Sequence, residues 1–334
     1  MFQPDEVISL PHLPRVDKRW SSLLRAFNIH GTSISGVRKV NFSADAKLAA
    51  VIYHDEMEIW DVESETSRHH FWNHVVSQFM EFSPDNSKLA ASISYYWDED
   101  GNDTGHAVQL WDTSTGILEY ELEGLPMNNQ VFFSPNGMLL ASISLHGYNL
   151  WDVTSGSLLH SFRSVNIGDH HEREFSNLLS FSSNNELIAY SSGNQVFYID
   201  AISGNPKFTL LGHTQEVCDV AFSHAGKLIA SASQDEIINL WNSSTGILQH
   251  TFKYSDEHTE SNENAIHNKH SPNEKAIHSL AFSPNDSIVA SSSGVTVKVW
   301  DTIEGNLQYT LSMVESNARA VAFSPDGRLS AVQL

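Results

Sequence analysis

A ruler of fixed length runs along this chain and limits what it can fold into. Phe-Ser pairs followed by turn-forming residues recur at Phe42, Phe82, Phe133, Phe181, Phe222, Phe282 and Phe323. A large apolar residue followed by Asp or Asn recurs at Trp60, Trp111, Trp151, Ile199, Trp241 and Trp300. The distance from the first signal to the second is 18 residues in four units, 19 in one and 29 in one. Spacing this regular means one small supersecondary unit, copied, with each copy burying its apolar face against the next.

The best-written copy is Gly212 to Asn242, GHTQEVCDVAFSHAGKLIASASQDEIINLWN. Its period predicts strands over Val217–Phe222, Leu228–Ser233 and Ile237–Trp241, with turns at Ala225-Gly226 and Gln234-Asp235. Ser243 to Gly246 turns the chain into a fourth strand, Leu248–Phe252. The second strand is small or apolar on both sides, as a strand covered on two faces requires.

The Phe-Ser-Pro-Asp-Gly run at Phe323, the Ala-Ser run ending at Ser231, the Leu-Trp-Asp of Trp111 and the Gly-His of His213 resemble the signature of WD-repeat β-propellers, over about residues 22 to 334. The wording is most similar to fungal and bacterial repeats found behind NACHT-type signalling ATPases, including heterokaryon-incompatibility proteins. The resemblance implies an all-β, seven-bladed propeller with one four-stranded blade per repeat. It also implies a hydrogen-bonded tetrad of His213, Ser231, Asp235 and Trp241. Other units lack parts of that set: Leu125 stands near the histidine position, Gly105 and Gly294 occupy the turn, and Ile199 replaces Trp.

Residues 1–19 read as a tail or linker and 20–334 as the propeller. Six units are complete, whereas the seventh, from Ala318, holds two strands. Two readings stay open: Leu23–Phe27 supplies its outer strand, or the chain is a fragment of a longer protein.

In a four-stranded meander the second-to-third turn and the link to the next unit leave from one side. The three irregular insertions, Tyr95–His106, Arg163–Glu174 and Lys253–Lys275, all belong to such connections, and insertions on one face mark a binding surface. Two of them are acidic. Asp98, Glu99, Asp100 and Asp103 lie in the first beside Tyr95, Tyr96 and Trp97; Asp256, Glu257, Glu260 and Glu263 lie in the third. Aromatic anchors among acids suit capture of a basic protein segment; the plainer alternative is solvated loops.

Charge and motif content narrow the rest. A net charge of −21 repels nucleic acid phosphates and anionic lipid, so a protein or peptide with a basic surface is the expected partner. The single cysteine, Cys218, excludes an internal disulfide, and its place in a strand predicts a buried thiol. The start lacks a cationic segment followed by an apolar run, and no stretch approaches membrane-spanning length; the expectation is a soluble, cytoplasmic protein, with the nucleus as second choice.

Neither metal nor catalysis has a specific signal. His69-His70 with His74, His170-His171 and His258, His267 and His270 lack zinc-site spacing, and neighbouring histidines on a strand point to opposite faces. Asp98 to Gln109 resembles a calcium loop only loosely, because Gln109 stands where Glu is needed. There is no nucleophile elbow, phosphate loop or dinucleotide fingerprint. No cofactor is expected. The leading reading is a non-catalytic interaction platform, free-standing or the sensing end of a larger signalling protein; the alternative is an enzyme using the propeller channel.

Overall fold

The computed structural model describes residues 39–52, 56–72, 76–94, 106–123, 130–144, 147–163, 178–254, 277–312, 318–324 and 327–333. Every regular element among them is a strand, and the strands form antiparallel sheets in chain order. Sheet 1 is β1 (Lys39–Phe42), β2 (Leu48–Ile52), β3 (Glu56–Asp61) and β4 (Thr66–Trp72). Sheet 2 is β5 (Val76–Phe82), β6 (Lys88–Ser94), β7 (His106–Asp112) and β8 (Leu118–Glu123). Sheet 3 is β9 (Gln130–Phe133), β10 (Leu139–Ser144), β11 (Gly147–Asp152) and β12 (Leu158–Arg163). Sheet 4 is β13 (Leu179–Phe181), β14 (Leu187–Ser192), β15 (Gln195–Asp200) and β16 (Pro206–Leu210). Sheet 5 is β17 (Val217–Phe222), β18 (Leu228–Ser233), β19 (Ile237–Asn242) and β20 (Leu248–Lys253). Sheet 6 is β21 (Ile277–Phe282), β22 (Ile288–Ser293), β23 (Thr296–Asp301) and β24 (Leu307–Ser312). Sheet 7 has β25 (Ala318–Phe323) and β26 (Leu329–Gln333) among the described residues. This is an all-β fold of successive blade-like sheets, six of them four-stranded among the described residues.

The Phe-Ser pair owes its recurrence to turn chemistry. Ser83 Oγ accepts the Lys88 N–H at 2.9 Å and donates to Asp85 Oδ1 at 2.6 Å, while Asn86 sits at φ 63° and donates its N–H to Ser83 O. The same closure is built at Ser43, Ser134, Ser182 and Ser283, each with a left-handed residue three positions on. The Trp-Asp signal marks the other turn. Asp112 Oδ1 accepts the Ser114 and Thr115 N–H groups at 3.0 and 2.9 Å, and Gly116 at φ 71° returns its N–H to Asp112 O. The Ser114 hydroxyl and the Thr115 N–H hold that carboxyl well below the ordinary range. One residue before each Trp, or Ile199, the pairing with the fourth strand slips by a bulge in all six complete sheets.

The described residues fall into two compact units, one within Arg25–Asp169 (sheets 1–3) and one within His170–Leu334 (sheets 4–7). Inside each unit the core lies between successive sheets. Met57 and Ile59 of sheet 1 pack with Leu89 and Trp111 of sheet 2, and Ile238 and Phe252 of sheet 5 pack with Val289 and Trp300 of sheet 6. Close approach of fourth strands to the next sheet's turn requires glycine: a Cβ on Gly156 would lie 2.5 Å from the Tyr120 ring. That ring instead settles with its hydroxyl donating to Thr154 O at 2.7 Å.

First strands are sheet edges, whose unpaired backbone groups need partners. Side chains of the preceding sheet supply them. Asn41 Nδ2 donates to Met80 O at 2.8 Å, the Phe133 N–H to Glu81 Oε2 at 3.1 Å, the Phe222 N–H to Ser180 Oγ at 3.1 Å, and the Leu280 N–H to Asp219 Oδ2 at 2.7 Å. Burial pushes the Glu81 carboxyl up to about 8 despite the Phe133 N–H. Asn41 is thus occupied inside a strand.

Candidate interaction surface

Each sheet has a turn edge, carrying the first-to-second and third-to-fourth turns, and a link edge, carrying the other connections. Residues 95–105 join β6 to β7, 164–178 join β12 to β13, and 254–276 join β20 to β21, so each insertion belongs to the link edge of its own sheet. Tyr95, Tyr96, Trp97, Asp98, Glu99, Asp100 and Asp103, and Asp256, Glu257 and Glu260, lie outside the described residues. Their roots are described. His106 opens β7 and Lys253 closes β20, which trims both insertions by one residue.

Beneath the link edge of sheet 5 lies a closed polar cluster. His213, on the link from sheet 4, places Nε2 2.8 Å from Ser231 Oγ, which also accepts the Trp241 indole N–H at 3.0 Å. His213 Nδ1 lies 3.3 Å from both Asp235 oxygens, and Asp235 Oδ2 accepts the Thr214 N–H at 2.8 Å. Burial pushes the Asp235 carboxyl up, but the bonds from His213 and the Thr214 N–H outweigh it and hold it at about 2. Asn239 completes the cluster, its Nδ2 3.4 Å from His213 Nε2 and its Oδ1 accepting from Thr251 Oγ1 at 2.9 Å. Ser, His and Asp here stand in the order of a nucleophilic triad, yet Ser231 is fully buried and its oxygen is already bound by the indole. No substrate carbonyl can reach it, so this cluster does the work of packing.

Sheet 6 meets the same need with other residues. The Trp300 indole N–H donates to Ser291 Oγ at 3.0 Å, and Tyr254, at the root of residues 255–276, donates its hydroxyl to Ser291 O at 2.9 Å. Lys298 is 5% exposed; its Nζ donates to Tyr254 O at 2.6 Å and lies 4.9 Å from the Tyr254 ring centre. Sequence analysis found parts of the tetrad missing from the other units and named nothing in their place. It missed Tyr254 and Lys298, although Lys298 stands two residues before Trp300 as Asn239 stands two before Trp241. In sheet 1 the equivalent residue, Glu58, takes the Trp60 indole N–H at 2.5 Å.

Other candidates resolve in the same way. His69 packs over Gly116, and His70 on the opposite face has Nε2 3.1 Å from Glu56 Oε2. Among the described residues no group of three His, Cys, Asp or Glu could hold a metal ion. Gln109 is 3% exposed inside β7, donating Nε2 to Glu121 Oε2 at 2.7 Å, so it is no loop ligand. Cys218 is buried, and among the described residues no helix is long and apolar enough to cross a membrane. His74, His170, His171, His258, His267 and His270 lie outside the described residues.

The family described as "WD domain, G-beta repeat" matches residues 204–242 and 264–301. Autophagy-related protein 16 of Arabidopsis thaliana is 30% identical over 172 residues, 50% of this chain and 31% of that protein. Cell division cycle 20.1, cofactor of APC complex, of the same plant is 25% identical over 214 residues, 60% of this chain and 42% of that protein. Apoptotic protease-activating factor 1 of Danio rerio is 25% identical over 290 residues, 85% of this chain and 20% of that protein. The chain spans less than half the length of each of these relatives.

Proposed function

From a chain that carries WD40 repeats, we infer a non-catalytic interaction platform that holds a protein or peptide partner at the link edges of its sheets. The carrying observation is where the acids stand along the repeat. Turn-edge carboxylates are consumed by their own turns: Asp61, Asp85, Asp112, Asp152 and Asp200 all accept turn N–H groups or turn hydroxyls and are all held below the ordinary carboxylate range. The acids inserted at the link edges belong to no such repeat unit. Together with Tyr95, Tyr96 and Trp97, and a net charge of −21, they favour a partner with a basic surface.

The relatives' names fit this reading, since a cofactor of a complex and a protease-activating factor both act on another protein. The alternative, an enzyme using the propeller channel, draws no support from Ser231, His213 and Asp235, whose side chains are bound to one another in a packed cluster. We keep three narrower proposals: a cytoplasmic setting, a seven-bladed ring closed by Leu23–Phe27, and a sensing role as one end of a larger signalling protein of the NACHT type. Replacing Tyr95, Tyr96 and Trp97 with Ser and the acids Asp98, Glu99, Asp100 and Asp103 with their amides tests the platform. Affinity capture followed by mass spectrometry is expected to lose specific partners while the thermal midpoint stays put. An unchanged partner set removes that loop from the account.

A further inference from the structure

Where one sheet meets the next, a side chain on the earlier first strand takes hold of the later first strand, and the residue that does so differs from seam to seam. Asn41, Ser180 and Ser279 are neutral: Asn41 reaches Met80 O at 2.8 Å, and the two serine oxygens accept the Phe222 and Val321 N–H groups at 3.1 and 3.4 Å. Glu81 and Asp219 are acids, accepting the Phe133 N–H at 3.1 Å and the Leu280 N–H at 2.7 Å. Asp219 is fully buried, whereas Glu81 is partly exposed, so solvent can exchange a proton with Glu81.

The seam around Glu81 gives its charge little to pair with. β1 brings Lys39, whose Nζ lies 4.4 Å from the Phe79 ring centre. β6 brings Lys88, held by Asp112 at 3.3 Å and by Glu119 at 2.5 Å, and sets Ala90 opposite Glu81. β9, which supplies Phe133, has no ionisable side chain. Among the described residues Glu81 forms no ion pair. A carboxylate with one N–H and no cation is costly away from water, and burial accordingly raises this carboxyl from an ordinary 4.5 to about 8. As a neutral acid the same group keeps the Phe133 N–H on its carbonyl oxygen and buries no charge.

We propose that Glu81 is a proton-controlled latch on the seam between β5 and β9. Neutral, it holds Phe133 and the seam stays shut; once it gives its proton to solvent, the carboxylate is better hydrated with the seam apart. Opening and ionisation are therefore one linked step. The closed seam keeps the proton up to about pH 8 and the open seam releases it near 4.5, so opening is favoured about tenfold more for each pH unit across that window. Below the window both states carry the proton, and above it neither does. The window spans neutral pH, where the hooks made by Asn41, Ser180 and Ser279 have no proton to lose.

Amide hydrogen exchange of the full chain, normalised to the intrinsic rate at each pH, tests the latch. Protection of the Phe133 N–H in the native chain should fall about tenfold per pH unit between about pH 5.5 and about pH 7.5. In Glu81→Gln, which keeps an oxygen for Phe133 but has no proton to lose, it should stay level. Protection of the Phe222 N–H, held by Ser180, should stay level in both proteins. A level Phe133 profile in the native chain overturns the latch. So does the same slope at Phe222, which would make the effect one of whole-chain unfolding, or the same slope in Glu81→Gln, which would place the proton on another group. The carboxyl carbon resonance of Glu81 gives a reading that needs no variant: a midpoint well above neutral supports the latch, and a titration finished by about pH 6 overturns it.

Discussion

Sheets 5 and 6 lie side by side in one unit and bury the same object, a third-strand tryptophan whose indole N–H must find an acceptor. Both supply a second-strand serine, Ser231 or Ser291, at 3.0 Å. They differ in what holds the serine. Sheet 5 uses an imidazole tied to a carboxylate; sheet 6 uses a phenol with a buried lysine. The difference teaches that the repeat specifies a burial problem rather than a residue set, and any side chains that satisfy the buried groups serve.

The largest expected effects should be alike. Trp241→Ala and Trp300→Ala each remove a buried indole and should cost about 3–5 kcal/mol in denaturant unfolding. A loss confined to one of them breaks the equivalence of the two sheets. The next effects should separate the sheets. His213→Ala leaves Ser231 and Asp235 short of a partner at once and should cost about 3 kcal/mol, against about 1 kcal/mol for Tyr254→Phe.

Opposite in sign between the two sheets is the response to pH. Asp235 is held at about 2 against an ordinary 3.8, so its contribution is present above 3.8 and is lost as pH falls toward 2. Burial pushes Tyr254 up to about 12 from 10.0, so its contribution is present below 10.0 and is lost as pH rises toward 12. Thermal midpoints across pH should therefore show Asp235→Asn flattening the acid limb alone and Tyr254→Phe the alkaline limb alone.

Much of this was legible in the chain. The strand limits Val217–Phe222 and Leu228–Ser233 follow from period and turn residues alone. The bulge before each Trp was not, because it is a register slip between strands and leaves no mark on apolar spacing. Nor were Tyr254 and Lys298, since a Tyr at a strand end and a Lys inside a strand read as surface residues until the third strand is seen to be covered on both sides. Glu81 and Asp219 escaped for a related reason: their partners belong to the next sheet, about one repeat away.

A pair of double-mutant cycles measures the account most directly: Ser231→Ala with Trp241→Phe in sheet 5, and Ser291→Ala with Trp300→Phe in sheet 6, each read by denaturant unfolding. Both couplings should be about 1 kcal/mol or more, with the larger in sheet 5, where the serine also carries the histidine. Zero coupling in both would mean that the indole–serine bonds hold nothing together, and would contradict the claim that these sheets answer one burial problem in two ways.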